Sequence, residues 1–288
     1  MPQRKVILNR EESRAVQVIA VTGGKGGTGK TTVAVNLATA LARAGRSVLL
    51  LDGDLGLASV DVLLGLAPTS TLEQVISGSV KLEEIIQRTV DGVSVIPAAS
   101  GVVRMARLRP AEFAAIVRSF AALPGNYDTL IVDTAPGLNE SVLAFCQAAQ
   151  QQLLVLRNEP ASLTDAYALI KVLSRERNLK TFQVLVNMTR TASEAQALFK
   201  RLQRVTDRYL EVAVEYAGEI PDDGDVAKSI RLQRTVLDAY PGCPASRAYQ
   251  RLAQGVQKWP PPTQASGRLE FFFERLVTRP QMRLKVIK

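Results

Sequence analysis

A glycine-rich segment with two lysines is the first group of residues in this sequence that could do chemistry. Residues 24–31 read Gly-Lys-Gly-Gly-Thr-Gly-Lys-Thr and fit G-x-x-x-x-G-K-[ST] at every fixed position. In loops of this pattern, bare backbone N–H groups surround a nucleotide's phosphates, the lysine reaches the β- and γ-phosphates, and the last hydroxyl ligates Mg²⁺. The predicted phosphate-binding residues are Gly24, Lys25, Gly26, Gly27, Gly29, Lys30, Thr31 and Thr32.

The segments on either side of this loop are the ones that would hold it in place. Residues 16–21 are mainly apolar and β-branched, as in a buried strand, and residues 32–41 carry apolar side chains at helical spacing. A loop that opens a helix points several N–H groups at one place, where the helix dipole also favours negative charge. We therefore expect a strand, a phosphate-binding loop and a helix in succession, rather than a flexible, solvated turn.

Acidic residues follow two other apolar segments. Asp52 and Asp54 come at the end of residues 47–52, and Asp133 ends the largely apolar run 127–133. Ligands of open α/β sheets bind at the C-terminal ends of the strands, so we expect these carboxylates beside the phosphate loop. An aspartate in the position of Asp133 commonly holds Mg²⁺, often through water. The alternative is that these acids only cap strand ends and turns.

Strand and helix patterns alternate through the rest of the chain. Predicted strands cover residues 153–156, 182–186 and 212–220, and predicted helices cover about 162–176 and 193–207. This alternation predicts an α/β fold, with a doubly wound, mainly parallel sheet and helices on both of its faces.

The composition excludes several classes of site. The 288 residues include no histidine, which rules out a histidine-based metal site and a Ser-His-Asp triad. Cys146 and Cys243 lie far apart without metal-type spacing, as expected in a reduced, cytosolic setting. The sequence shows neither a signal-peptide core nor a run of about 20 apolar residues that would span a bilayer. We therefore expect a cytoplasmic protein that contacts a membrane at most from its surface.

The C-terminal part of the chain combines basic charge with an amphipathic pattern. Residues 247–288 contain nine basic and two acidic side chains, and so carry most of the chain's net charge of +9. On a helix after the helix-breaking run 259–262, Phe271 would face away from an apolar stripe. That stripe consists of Leu269, Phe272, Phe273 and Leu276. Such a helix could lie on an anionic bilayer or pack in a groove of the protein body. The charge alone also fits nucleic acid or a solvated tail.

The early lysine makes the loop pattern more specific. With Lys25 in place, the form K-G-G-x-G-K-T resembles the MinD/ParA superfamily of dimerising ATPases. The resemblance implies an ATP-dependent homodimer in which Lys25 reaches the partner subunit's nucleotide and Lys30 serves its own. Residues 52–61 resemble switch I of that group, which implies that Asp54 positions the attacking water and approaches Mg²⁺ through water. The catalytic residues implied are Lys25, Lys30 and Asp54, and the implied metal ligands are Thr31, Asp54 and Asp133.

The same resemblance supplies candidates for the rest of the nucleotide site. Asn187 matches the position from which the family recognises adenine, and residues 218–222 resemble its second base-contacting loop, through Pro221 and Asp222. Glu159 is implied to face the partner subunit's nucleotide. By themselves these residues are weak signals, because Asn and Pro-Asp are common in turns.

Nearly the whole chain resembles one branch of this superfamily, the flagellar-number regulators FleN and FlhG. The segments that carry this resemblance are 21–32, 51–66, 96–101 and 159–171. It implies a slow, Mg²⁺-dependent ATPase that limits flagellar assembly by restraining a FleQ-type transcriptional activator. An FlhF-type GTPase is a second candidate partner. Residues 1–15 lack the Asp-Gln-Ala-x-x-Leu-Arg motif with which many FlhG proteins stimulate a GTPase, which favours the restraint of the activator.

The expected organisation is a flexible arm at residues 1–15, a MinD-like ATPase domain at 16–258, and a Pro-rich linker with a basic amphipathic segment at 259–288. The C-terminal helix would give ATP-dependent association with the anionic inner face of the cell membrane. Alternative functions are ParA-like DNA partitioning, MinD-like positioning of cell division, and a scaffold that binds its partner without hydrolysis. Direct DNA binding is not expected. Salt-sensitive, ATP-dependent DNA binding would favour partitioning.

Overall fold

The computed structural model describes residues 16–98, 108–124, 127–260 and 270–272. The predicted N-terminal arm and most of the predicted C-terminal segment lie outside these ranges. Of the helices within them, none is both long enough and apolar enough to cross a bilayer.

The described residues form a sheet of eight strands. These are β1 (Gln17–Thr22), β2 (Val48–Gly53), β3 (Gln87–Arg88), β4 (Ser94–Ile96), β5 (Thr129–Thr134), β6 (Gln151–Arg157), β7 (Thr181–Thr189) and β8 (Ala213–Pro221). Their order is β3-β4-β2-β5-β1-β6-β7-β8, and every neighbouring pair is parallel except β3 and β4. The chain builds the sheet to one side of β1 and then to the other, which confirms the predicted doubly wound arrangement.

Helices cover both faces of this sheet. They are α1 (Lys30–Arg43), α2 (Val60–Leu64), α3 (Leu72–Ile76), α4 (Pro110–Ser119), α5 (Glu140–Ala148), α6 (Pro160–Arg177), α7 (Ala192–Tyr209), α8 (Gly224–Arg231), α9 (Val236–Ala239) and α10 (Pro244–Val256), with a 3₁₀ turn at Leu82–Ile85. Successive side chains of a strand point to opposite faces of the sheet, so β1 contributes side chains to two hydrophobic cores. Val18 and Ala20 pack in one core with α4 to α7, whereas Ile19 and Val21 pack in the other with α1 and α10.

Three elements were not indicated by the sequence, namely α2, α5 and β3. The helix α5 begins after Asn139, whose side chain accepts a hydrogen bond from the N–H of Val142. This helix is short and mainly apolar, and its Phe145 and Cys146 are buried. Its polar face is too narrow for helical periodicity to be recognised in the sequence. The strand β3 is two residues long and forms an antiparallel edge with β4. Pro110 fits the first turn of a helix, and the sequence after it predicts a helix to about residue 123. The helix α4 begins at Pro110 and ends earlier than that, at Ser119.

The described part of the C-terminal segment differs from the predicted amphipathic helix. Glu270 is outside any helix, and Phe271 and Phe272 form a turn in which Phe272 has a φ of 57°. Both rings are fully buried. The ring centroid of Phe271 lies 4.7 Å from that of Phe120 and 6.2 Å from that of Phe145, and Phe272 lies 5.8 Å from Phe120. The prediction that Phe271 faces away from Phe272 is therefore wrong, because a left-handed turn directs both rings into the body.

Candidate functional site

The glycine-rich loop joins β1 to α1 near the middle of the sheet edge. Gly29 precedes α1 with a φ of 84°, a left-handed backbone that other residues rarely adopt. A Cβ at Gly29 would lie 2.5 Å from Nδ2 of Asn187, and a Cβ at Gly24 would lie 2.4 Å from the backbone oxygen of Asp165. The loop thus packs closely against α6 and the end of β7, and these two glycines cannot be replaced without movement. The exposed glycines of the loop are Gly26 and Gly27.

Lys30, the first residue of α1, folds back across the loop. Its side chain is buried, and Nζ donates a hydrogen bond to the backbone oxygen of Lys25 at 2.9 Å. Burial lowers the pKa of the Lys30 ammonium, while the charges of Asp133 and Asp54 act in the opposite direction. The ammonium therefore lies within electrostatic reach of both carboxylates that the sequence predicted as metal ligands.

Two aspartates meet where β2 and β5 run side by side, since the register pairs Asp52 with Asp133. Burial raises the pKa of Asp133 well above its usual value, and the charge of Asp52 raises it further. The neighbouring Thr31 hydroxyl and Lys30 ammonium lower this pKa, but their effect is smaller. Within the described part of the chain, neither carboxylate oxygen of Asp133 has a hydrogen-bond partner. A buried carboxylate without partners is costly, so this position calls for a bound cation or water.

The oxygen atoms near Asp133 suit Mg²⁺. Thr31 offers a hydroxyl and Asp54 a half-buried carboxylate, and both interact electrostatically with Asp133. Mg²⁺ prefers oxygen ligands, keeps several waters, and commonly uses one or two protein carboxylates. A cation here would also offset the repulsion between Asp52 and Asp133. The structure thus brings the predicted ligands together, and their role as ligands stays a prediction.

Asp52 holds the loop after β2, a role that the sequence did not indicate. Its Oδ1 accepts a hydrogen bond from the N–H of Asp54 at 3.1 Å. Its Oδ2 accepts from the N–H groups of Ser59 and Val60 at 2.9 and 3.0 Å. Burial raises the pKa of Asp52 to about 6, although these N–H groups lower it. Asp52 therefore fixes both ends of the loop that carries Asp54.

Lys25 lies on the exposed side of the same loop. Its Nζ is 3.0 Å from Oε2 of Glu159, whose Oε1 is 3.2 Å from Nη1 of Arg157. The hydrogen bond from Lys25 lowers the pKa of Glu159. The side chains of Lys25 and Glu159 are 41% and 37% exposed. The structure therefore pairs these two residues within one chain, and their predicted contacts with a partner's nucleotide stay predictions.

The residues predicted to contact adenine follow β7 and β8. Asn187 is buried, and its Nδ2 donates a hydrogen bond to the backbone oxygen of Thr28 at 2.8 Å. Pro221 ends β8, and the N–H of Asp222 donates to the backbone oxygen of Thr189 at 2.9 Å. Asn187 thus supports the phosphate loop directly, which the sequence did not indicate. Contacts of Asn187, Pro221 and Asp222 with a base stay predictions.

Similarity to known proteins extends over most of the chain. A family model described as ParA, NUBPL iron-transfer P-loop NTPase, matches residues 14–257. Antiactivator FleN of Pseudomonas aeruginosa is 52% identical over 265 residues, which cover 92% of this chain and 95% of FleN. Flagellum site-determining protein YlxH of Helicobacter pylori is 29% identical over 236 residues, which cover 82% of this chain and 80% of YlxH.

The fold is also similar to that of a solved nucleotide complex. Septum site-determining protein MinD from Pyrococcus horikoshii, complexed with Mg-ADP, superposes with a TM-score of 0.71 at 27% identity. The match covers 84% of this chain and 96% of that MinD. The similarity therefore concerns the whole sheet and its helices rather than the glycine-rich loop alone.

Proposed function

This chain belongs to the ParA/MinD family of P-loop NTPases, and we propose that it is an ATP-dependent dimerising switch that limits flagellar number by restraining a FleQ-type transcriptional activator. The main support is the 52% identity to antiactivator FleN over nearly all of both chains. Similarity to the flagellum site-determining protein YlxH supports the same biological setting. Similarity to MinD supports, more distantly, the positioning of cell division as an alternative.

We assign the phosphates of ATP to the glycine-rich loop and to Lys30, and the Mg²⁺ ion to Thr31, Asp54 and Asp133. The observation that carries this assignment is the buried Asp133 carboxylate, which lacks hydrogen-bond partners in the described structure and lies near the Lys30 ammonium. When bound, Mg²⁺ supplies charge neutralisation for the phosphates. The Mg-ADP complex of MinD supports the choice of cofactor.

Hydrolysis of ATP is assigned to Asp54, which orients the attacking water. The N–H of Asp54 is held by Asp52, so the residue is fixed at the end of β2. The chain contains no histidine to act as a general base near neutral pH, and we therefore expect slow turnover. Slow turnover suits a switch whose ATP-bound state must persist.

The dimer is proposed to form across the loop edge of the sheet. Lys25 of each subunit would reach the partner's phosphates, and Glu159 would face the partner's nucleotide. The ion pair between Lys25 and Glu159 is exposed, and exposed pairs add little net stability, so Lys25 can leave it at little cost. The dimer would last only while the γ-phosphate is present.

The C-terminal segment is proposed to dock on the body in one nucleotide state and to bind the anionic inner face of the membrane in the other. Burial of Phe271 and Phe272 supports the docked arrangement, and the basic side chains of residues 247–288 support the membrane-bound one. Co-sedimentation with anionic liposomes tests this part. We expect binding with ATP and not with ADP, and failure to bind in both states would contradict it.

Capture of the activator tests the proposed function. The Asp54→Ala variant, which should retain ATP and hold the dimer, is expected to capture a purified FleQ-type activator in ATP but not in ADP. The Lys30→Ala variant is the matched control and should capture none in either nucleotide. Equal capture in ATP and ADP would contradict an ATP-controlled switch. Salt-sensitive DNA binding with ATP, without capture of the activator, would favour DNA partitioning.

A further inference from the structure

Three arginines line a cleft at the end of the edge strand β8. The cleft has a volume of about 250 Å³. Arg190 belongs to the segment between β7 and α7, whereas Arg247 and Arg251 belong to α10. We call this surface the arginine cleft. Among the lining residues that the structure describes, only Pro221 is also predicted to bind the nucleotide, so the two sites are largely separate.

The charges around the arginine cleft do not balance. Glu219 is the acidic residue of the described lining, where it faces three arginines. In the part of the chain that the structure describes, none of the ion pairs includes Arg190, Arg247 or Arg251. Glu194, outside the lining, interacts electrostatically with Arg190 but forms no ion pair with it. The cleft therefore has a net positive charge.

The helix α10 holds two of the three arginines side by side. Arg247 and Arg251 are four residues apart, so they share one face of the helix, while Ala248 and Tyr249 are buried against the body. Nη1 of Arg247 donates a hydrogen bond to the backbone oxygen of Gly242 at 2.6 Å, which keeps the guanidinium near the start of α10. Like charges at this spacing destabilise a helix. A bound anion would offset that repulsion.

The chemistry and the size of the cleft limit the ligand. Guanidinium groups bind phosphate in a bidentate geometry. The cleft, at about 250 Å³, is smaller than the sites of drug-sized ligands, which start at roughly 300 Å³, so it suits one or two phosphate groups rather than a whole nucleotide. We propose that the arginine cleft is a second anion site, which binds a phosphate or diphosphate group outside the nucleotide site. This inference does not depend on the proposed function.

Calorimetric titration with pyrophosphate tests the arginine cleft. The full-length protein is first saturated with ADP in the absence of Mg²⁺, so that the glycine-rich loop is occupied. We expect Arg251→Ala to bind pyrophosphate at least about tenfold more weakly than the wild type, because charge-assisted hydrogen bonds are lost. Arg251→Lys keeps the charge without the bidentate geometry and should lose less affinity. The double variant Arg247→Ala/Arg251→Ala should not bind pyrophosphate.

An exposed arginine outside the cleft provides the matched control. Arg204 lies on α7, and Arg204→Ala should bind pyrophosphate as the wild type does. Lys30→Ala should also keep this binding, which separates the cleft from the glycine-rich loop. ADP binding within about twofold of the wild type would show that the arginine variants are folded.

Four outcomes would overturn the inference. The first is a wild type that does not bind pyrophosphate, and the second is a double variant that binds it as tightly as the wild type does. The third is loss of pyrophosphate binding in Lys30→Ala, which would place the anion in the glycine-rich loop. The fourth is citrate binding as tight as that of pyrophosphate, because the cleft would then not select phosphate over carboxylate.

Discussion

The two lysines of the glycine-rich loop lie in opposite surroundings. We define the inner site as Lys30, Thr31 and Asp133, and the outer site as Lys25, Arg157 and Glu159. Lys30 and Asp133 are buried, and the Asp133 carboxylate has no hydrogen-bond partner among the residues that the structure describes, so we propose that the inner site binds the nucleotide and metal of its own chain. The outer site is an exposed chain of ion pairs that can be exchanged at little cost. One loop can thus separate nucleotide binding from dimerisation.

The largest expected effect is the loss of nucleotide binding when the inner lysine is removed. Lys30→Ala deletes a buried cation that we propose to bind the phosphates, and charge-assisted hydrogen bonds of this kind are strong. We expect ADP affinity to fall by at least about 100-fold in calorimetric titrations. Lys81→Ala, which removes a lysine whose side chain is 80% exposed, is the control and should bind normally. If Lys30→Ala binds ADP with an affinity within about threefold of the wild type, Lys30 does not belong to the nucleotide site.

A smaller effect is expected on the stability of the nucleotide-free protein. The pKa of Asp133 is raised in the fold, so its ionised form is disfavoured and the wild type loses stability as pH rises above the usual aspartate pKa of about 3.9. Asp133→Asn removes that charge. We therefore expect its Tm near pH 7 to exceed the wild-type Tm by a few degrees, with the difference shrinking toward pH 4.

The control for this measurement is an exposed acid on α7. Asp207→Asn should leave the Tm unchanged at both pH values, because its carboxylate is in solvent. Addition of Mg-ADP should raise the Tm of Asp133→Asn less than that of the wild type, since the variant lacks a proposed metal ligand. A variant that is less stable than the wild type at pH 7, or that gains fully from Mg-ADP, would refute the assignment of Asp133.

The smallest effect is expected at the outer site. Glu159→Gln removes the exposed partner of Lys25 and Arg157, and such pairs contribute little to stability. We expect the Tm to stay within about 1 °C and ADP affinity within about twofold of the wild type. A large loss of ADP affinity would show that the two sites act as one.

Much of the fold and of the inner site follows from local sequence patterns. The loop from Gly24 to Thr31 has a strand before it and a helix after it, and Asp133 ends an apolar run, so sequence alone predicted their elements. The parallel sheet followed from the alternation of strands and helices. These predictions succeed because each rests on residues close together in the chain.

The remaining features depend on contacts between distant segments. Asp52 meets Asp133 only because β2 and β5 are neighbours in the sheet, and Lys25 pairs with a residue 134 positions away. Ser59 gains its contact with Thr31 from the hydrogen bonds of the loop after β2. The turn at Phe272 lies where the sequence pattern indicated a helix, because packing on the body, not periodicity, decides its backbone.

Lys25 is proposed to convert nucleotide binding into dimerisation. Light scattering of the wild type and Lys25→Ala, in ATP and in ADP, tests it most directly. The wild type should be a dimer in ATP and a monomer in ADP. Lys25→Ala should bind ATP within about twofold of the wild type and yet remain a monomer in both nucleotides. A Lys25→Ala variant that dimerises with ATP as the wild type does would contradict the claim.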